Sequence, residues 1–263
     1  MKVAVLITGQ LRDYKVNALN QIKHLIEPND ADVFVYACNK NTLHVAGQAM
    51  RQQKYHITTE NTREEIIKDV KNTYGKNLKQ VLVNENEDLD EGSFGTFGYF
   101  RRRMQNQMDN IRKGFLMAMK HSRDNNFEYD VIVRSRPDNS IYPKVINLSE
   151  FPIEDGLVHS TVFYTGHRDP WFFSFANPKT FNTYCALKYY GEEEDSRTDN
   201  NFDCPELAME KYLASSAIRL SHHTDIGLTF TGLDRTEKIN DFPHREIHEK
   251  LISSTGALVE QRL

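Results

Sequence analysis

The chain has 263 residues carrying 33 basic and 37 acidic side chains, a formal charge of −4 and a mean hydropathy of −0.63, which speaks against a general nucleic-acid binder and against fibrous, disordered or membrane-spanning classes. This length buries a core without disulfides, and Cys38, Cys185 and Cys204 form an odd set with no metal or redox spacing, as reduced cytosolic thiols do. The apolar opening, Val3 to Ile7, is too short for a secretory signal or a membrane span, so a cytoplasmic protein is expected.

Val3 to Thr8 is a continuous β-branched run, the pattern of a strand buried on both faces of a parallel sheet. It runs into the turn Thr8-Gly9-Gln10-Leu11-Arg12-Asp13. Val16, Leu19, Ile22 and Ile26 then predict a helix with those residues inward, stopped by Pro28-Asn29-Asp30. Asp32 to Tyr36 is a second apolar strand, completing a βαβ unit. The capping box Thr62-Arg63-Glu64-Glu65 starts a helix that turns Ile66, Ile67 and Val70 inward, and Gln80 to Val83 is a third strand. After a glycine- and aromatic-rich loop, 92–99, a long helix carries Met104, Met108, Ile111, Phe115 and Met119 as a core stripe. Tyr129 to Val133 is the next buried strand. Further strands are expected at 157–164, 171–176, 218–222 and 228–231, with helices at 178–190, at 205–215 and after Asp241. With no repeat, linker or low-complexity tract, the pattern predicts one α/β domain with a mostly parallel central sheet flanked by helices.

Open α/β sheets bind ligands beyond the carboxyl ends of their strands, which singles out two loops. The first, Thr8-Gly9-Gln10-Leu11-Arg12, lacks both the dinucleotide fingerprint and the phosphate loop ending in Gly-Lys-Ser/Thr. It offers a glycine for close backbone approach, two polar side chains and a cation, or it is simply a tight strand-to-helix turn. In the second, Arg134, Arg136 and Asp138 follow the strand at alternate positions, on one face if the backbone stays extended. Two guanidiniums and a carboxylate suit a diphosphate with a divalent cation. The same residues equally suit an internal Arg–Asp ion pair tying off the strand end.

The segments VAVLITGQLRD, DVFVYA, YDVIVRSRPDNSIYP (129–143), RDPWFFSFANPKTFNTY (168–184) and CPELAMEKYL (204–213) together resemble small glycosyltransferases of surface-glycan pathways in bacteria and giant algal viruses, the chlorovirus capsid-glycan transferases and their xylosyltransferase among them. The resemblance covers most of the chain in order. It implies a single GT-A-like, Rossmann-like domain over 1–263, with a nucleotide-sugar half (1–140) and an acceptor half (141–263). It implies transfer of a sugar from a nucleotide-diphosphate donor, a UDP-sugar such as UDP-xylose, to a hydroxyl of a glycan acceptor, in the cytoplasm (the host's, for a viral member). No nucleic-acid partner and no membrane span are expected. Thr8, Gly9, Gln10 and Arg12 would then hold the nucleoside, and Arg134, Arg136 and Asp138 the diphosphate. The family's D-x-D is here reduced to one carboxylate, so either Asp138 alone would be the protein's ligand of Mn²⁺ or Mg²⁺, or the arginines would substitute for the metal electrostatically.

An inverting transfer also needs a base for the acceptor hydroxyl. Glu206, with Asp203 as second choice, stands at the start of the 205–215 helix, where both also read as ordinary helix-start residues. Tyr99 and Trp171 offer aromatic faces for the acceptor sugar. His222 and His223 are adjacent on a strand and so face opposite ways, while His244 is followed by Arg245 where the zinc-protease pattern places a glutamate, with Glu246 one position later before His248. The competing reading is a glycan- or nucleotide-binding module that kept the fold without the chemistry.

Overall fold

The computed structural model describes residues 1–11, 14–39, 41–44, 55–58, 61–84, 97–142, 145–161, 173–186, 209, 212–223 and 226–230. Along the chain these form β1 (Val3–Gln10), α1 (Tyr14–Gln21), β2 (Asp32–Cys38), β3 (Asn41–His44), β4 (Tyr55–Thr58), α2 (Arg63–Tyr74), β5 (Leu78–Asn84), α3 (Phe97–Asp124), β6 (Val131–Ser135), β7 (Asn139–Tyr142), β8 (Leu157–Thr161), β9 (Phe173–Ala176), α4 (Pro178–Tyr184), β10 (Arg219–His223) and β11 (Gly227–Phe230). Tyr212 to Ser215 is also helical, whereas the segment expected to be helical after Asp241 lies outside the described residues. Among the described residues no helix is long and apolar enough to cross a membrane.

Seven strands form one sheet in the order β10-β8-β9-β6-β1-β2-β5. Every neighbouring pair is parallel except those of β9, which runs against both β6 and β8. The expected α/β class with a mostly parallel, helix-flanked sheet is therefore the observed one. Two small antiparallel pairs, β3–β4 and β7–β11, were not legible as pairs in the sequence. β1 lies at the centre, and its apolar run packs one core on each face. On one side Val3, Val5 and Ile7 meet residues of α1 and α2, with the α2 end fixed by the Thr62–Glu65 capping box. On the other, Ala4 and Leu6 meet Met108, Ile111, Phe115 and Ala118 of α3, together with Phe181 and Tyr184 of α4.

α1 departs from its apolar pattern. Leu19, expected inward, is 70% exposed, and among the described side chains of α1 the buried ones are Tyr14, Asn17, Ala18 and Gln21; that of Val16, also expected inward, lies outside the description. A π-helical turn over Ile22–Ile26 then widens the helix and turns both Leu25 and Ile26 inward. Periodicity of apolar residues misread this face because two of its inward positions are amides.

α3 crosses back over the sheet so closely that a Cβ on residue 114 would lie 2.9 Å from Thr8 Cγ2 and 3.7 Å from Leu6 Cβ. Gly114 is thus what lets the helix rest on the end of β1. At the far side of the sheet, His159 and His223 join β8 to β10. His159 Nε2 donates to the Pro152 carbonyl at 2.7 Å, so its Nδ1 is the acceptor for His223 Nε2 at 2.8 Å. Burial, the largest influence, holds the His159 pKa below its usual value, opposed by the Pro152 hydrogen bond and the Glu154 charge.

Two outcomes follow from this packing. Gly114→Ala should lower stability by about 1 kcal/mol, because overpacking outweighs the helix-propensity gain of alanine. Adding Thr8→Ser, which removes the opposing methyl, should recover most of that loss in urea denaturation; no recovery would place the strain elsewhere. For His159, the unfolded chain takes up a proton near pH 6.5 and the folded chain only at lower pH. Stability should therefore fall as pH drops through and below about 6.5. Thermal melts of His159→Phe should show a smaller fall over that range than the parent, and identical profiles would refute the assignment.

Candidate functional site

The chain builds outward from β1 through β2 to β5 and then returns to add β6 on the other side of β1. The order of strands reverses at β1, and open sheets hold their ligands beyond the carboxyl ends of the strands at such a point, here β1 and β6. The last rungs between them are Leu6 with Arg134 and Ile7 with Ser135. The two loops singled out in the sequence start side by side, one residue further on.

On the β1 side, Thr8 is 2% exposed and its Oγ1 has no hydrogen-bond partner among the described residues. Gly9 has φ +123°, a conformation open to glycine and rarely adopted by L side chains. Among the described residues, nothing lies within 4 Å of a Cβ placed there. Gln10 is half-buried at the strand end, opposite Cys38 of β2. Arg12 lies outside the described residues.

On the β6 side, the backbone does not stay extended. Asn139 N–H donates to the Arg136 carbonyl at 3.2 Å, closing a turn over Pro137 and Asp138. The three charged side chains therefore do not share a strand face. Arg134 is 1% exposed and points to the α3 side, in register with Leu6 and with Ser174 of β9. The row continues to Ser160 and His222, whose Oγ and Nδ1 are 3.0 Å apart. Arg136 and Asp138 instead pair across the turn, Nε to Oδ1 at 2.8 Å and Nη2 to Oδ2 at 2.6 Å. This is the internal ion pair that the sequence left open, with the arginine side chain 19% exposed and the carboxylate 7%.

Three amides of α1, missed in the sequence reading, hold that turn. Gln21 Nε2 donates to the carbonyls of both Arg136 and Asn139 at 2.8 Å. Asn20 accepts from the Ile141 N–H at 2.7 Å and donates to the Ile141 carbonyl at 3.2 Å. Ser140 Oγ donates to Asn17 Oδ1 at 2.6 Å. Asn17, Asn20 and Gln21 stand at i, i+3 and i+4 on one helical stripe, and that spacing was the available signal. Because α1 also continues from the β1 loop, the two loops of the crevice are carried by one helix.

Other elements reach the same rim. Gly114 sits level with Thr8, so the part of α3 before it runs past the strand ends; Tyr99 is in its first turn, with a side chain outside the description. Lys113 Nζ, a cation not foreseen, lies 5.3 Å from the centre of the Tyr36 ring near the end of β2. β8 ends and β9 begins at this rim, but Trp171, between them, lies outside the described residues, as do Asp203 and Glu206. Burial pushes the Cys185 thiol up, against the lowering influence of Arg112 and Arg134. A divalent cation would need several oxygen ligands. Both oxygens of Asp138 are held by one guanidinium, and the described residues contain no group of three His, Cys, Asp or Glu able to hold a metal. The described donor set at Asp138 does not fit such an ion.

No protein-family model matches the chain, and no curated protein matches it. Among solved structures it is similar to the apo form of the glycosyltransferase GlyE of Streptococcus pneumoniae TIGR4, at 7% identity and a TM-score of 0.47, over 96% of this chain and 52% of that one. A second GlyE structure matches at 10% identity and a TM-score of 0.45, over 95% of this chain and 52% of that one. The chain thus spans about half the length of these structures.

Gln21→Leu should remove both bonds to the turn, taking the Gln21 donor from the Asn139 carbonyl and leaving the Arg136 carbonyl with the longer Asn139 N–H bond. The expected cost is about 2–4 kcal/mol in chemical denaturation. A loss below about 0.5 kcal/mol, the range of an ordinary surface substitution, would show that the turn stands without the clamp.

Proposed function

We propose that the protein is a glycosyltransferase that moves a sugar from a nucleotide-diphosphate donor, in the simplest reading a UDP-sugar such as UDP-xylose, to a hydroxyl of a glycan acceptor. The observation that carries this reading is the junction of β1 and β6. A positive-φ glycine turn, uncrowded by the described residues, there adjoins a turn with a fixed guanidinium, at the point where such sheets hold nucleotides. The ordered segments that resemble surface-glycan glycosyltransferases support it independently.

In this reading Thr8, Gly9, Gln10 and Arg12 hold the nucleoside, Gly9 by letting the backbone approach and Thr8 by its buried hydroxyl. Arg136, with Arg134 behind it, faces the diphosphate. The bond from the anomeric carbon to the diphosphate breaks with its electron pair leaving on the phosphate oxygen, and a bond to the acceptor oxygen forms. Charge grows on the leaving group, so preorganised cations there contribute most to the rate. In an inverting transfer the acceptor proton passes to Glu206, or failing that to Asp203. Tyr99 and Trp171 supply stacking faces for the acceptor sugar.

A binding module without turnover is the second reading, favoured by the engagement of the single carboxylate of the acidic motif with Arg136. Calorimetry with UDP, GDP, CMP and ADP, followed by transfer assays with the matching nucleotide sugars, separates the two. Selective binding of one diphosphate is expected, with Arg136→Ala weakening it about tenfold through loss of a charge-assisted contact. Glu206→Gln should leave nucleotide affinity unchanged and lower turnover roughly 10²–10⁴-fold. Binding without transfer would favour the module, and absence of binding to all four nucleotides would remove the donor site.

A further inference from the structure

The Arg136–Asp138 pair has a polarity that the residue types alone do not reveal. Asp138 is the inner partner, its side chain 7% exposed, and Arg136 the outer one at 19%. The carboxylate spends both oxygens on the guanidinium, at 2.8 and 2.6 Å, in the bidentate geometry that fixes the plane of an arginine head group. The other end of that side chain is fixed as well. The Arg136 carbonyl accepts from Gln21 at 2.8 Å and from the Asn139 N–H at 3.2 Å, and Pro137 locks the next residue of the turn. A long, flexible side chain is thus held at its root by the turn and at its head by a buried carboxylate. The more exposed member of the pair is thus a cation of set orientation, and a cation is what meets an anion.

We infer that Asp138 acts as the counter-ion that aims Arg136 at the diphosphate of the donor, not as the ligand of a divalent metal. The inference rests on the donor-site reading above and assigns the charge chemistry within it. Asp138 is in these terms a positioning residue. Its carboxylate removes the cost of burying part of a guanidinium and prepays the ordering of its rotamers, so that less is lost when the anion arrives. A divalent ion at this place would have to share both carboxylate oxygens with the guanidinium and sit against its positive charge.

The test uses the full chain with UDP and Mn²⁺ as probes. Calorimetric titration with UDP should give the same Kd, within about twofold, in EDTA and in excess Mn²⁺. Asp138→Asn, which keeps one acceptor, and Asp138→Ala, which keeps none, should weaken UDP in that order, the second by about tenfold, still without a response to Mn²⁺. The melting temperature of each variant is checked first, and a folded variant with unchanged Kd would reduce Asp138 to a structural role and overturn the inference. So would a Kd tenfold or more tighter in Mn²⁺ for the parent chain, with the gain lost in Asp138→Asn. If UDP binds under neither condition, the donor-site reading fails. Electron paramagnetic resonance of Mn²⁺ with the protein alone then decides about Asp138: no uptake that depends on Asp138 supports the absence of a metal ligand there, and one ion per chain lost in Asp138→Asn refutes it.

Discussion

The carbonyls of Arg136 and Asn139 turn inward at the bend between β6 and β7, and the buried amide of Gln21 is what meets them. Buried backbone acceptors must find donors, and where the ladder ends a turn N–H or a side chain provides them. That requirement explains why a helix in a core position carries Asn17, Asn20 and Gln21 where apolar residues would otherwise pack. It also explains why α1 lies where it does: the helix is spaced by the bonds it makes to residues 136–141 as much as by its contacts with the sheet. The loop after β1 feeds into α1, so the turn after β6 inherits its position from the first loop.

Much of the architecture was written in the apolar pattern. β1, β2, β6 and the stripe of Met108, Ile111 and Phe115 on α3 follow from residues with one reading each, because burial on one or both faces leaves no competing arrangement. α1 was misread for the opposite reason. Leu19 points to solvent while Asn17 and Gln21 point inward, a choice set by a segment more than a hundred residues away and invisible to a local window. The strand β7 was missed because its partner β11 is equally remote.

The site divides along similar lines. That the loops after β1 and β6 would start side by side was legible, since both follow buried apolar strands, and β1 and β6 do pair. The geometry of the site was not. An alternation of Arg134, Arg136 and Asp138 on one face assumed an extended backbone, and the Pro137 turn ends that extension at Ser135. The result is two unlike arginines. Arg134 is sealed into a polar row with Ser174, Ser160 and His222 across the sheet, and Arg136 stands at the rim beside its own counter-ion. A sequence carries residue types and separations, whereas the division of labour between two identical cations depends on a single bend.

The central place of β1 has a consequence for how the chain is made. β1, α1, β2, α2 and β5 draw only on residues 3–84 and pair near neighbours in sequence, so this unit can form early on a growing chain. Its other edge, the flank of β1 that later receives Val131 to Ser135, stays bare until β6 has been synthesised. At roughly 5–20 residues per second that interval lasts several seconds, during which a flat apolar edge is open to wrong partners. The long helix α3 comes off the ribosome in the meantime, and its seat on Thr8 at Gly114 covers one face of the waiting strand before β6 closes the ladder. The nascent protein therefore passes through a stage that is half a sheet with one covered face and a bare edge, and the junction of β1 with β6 forms only afterwards.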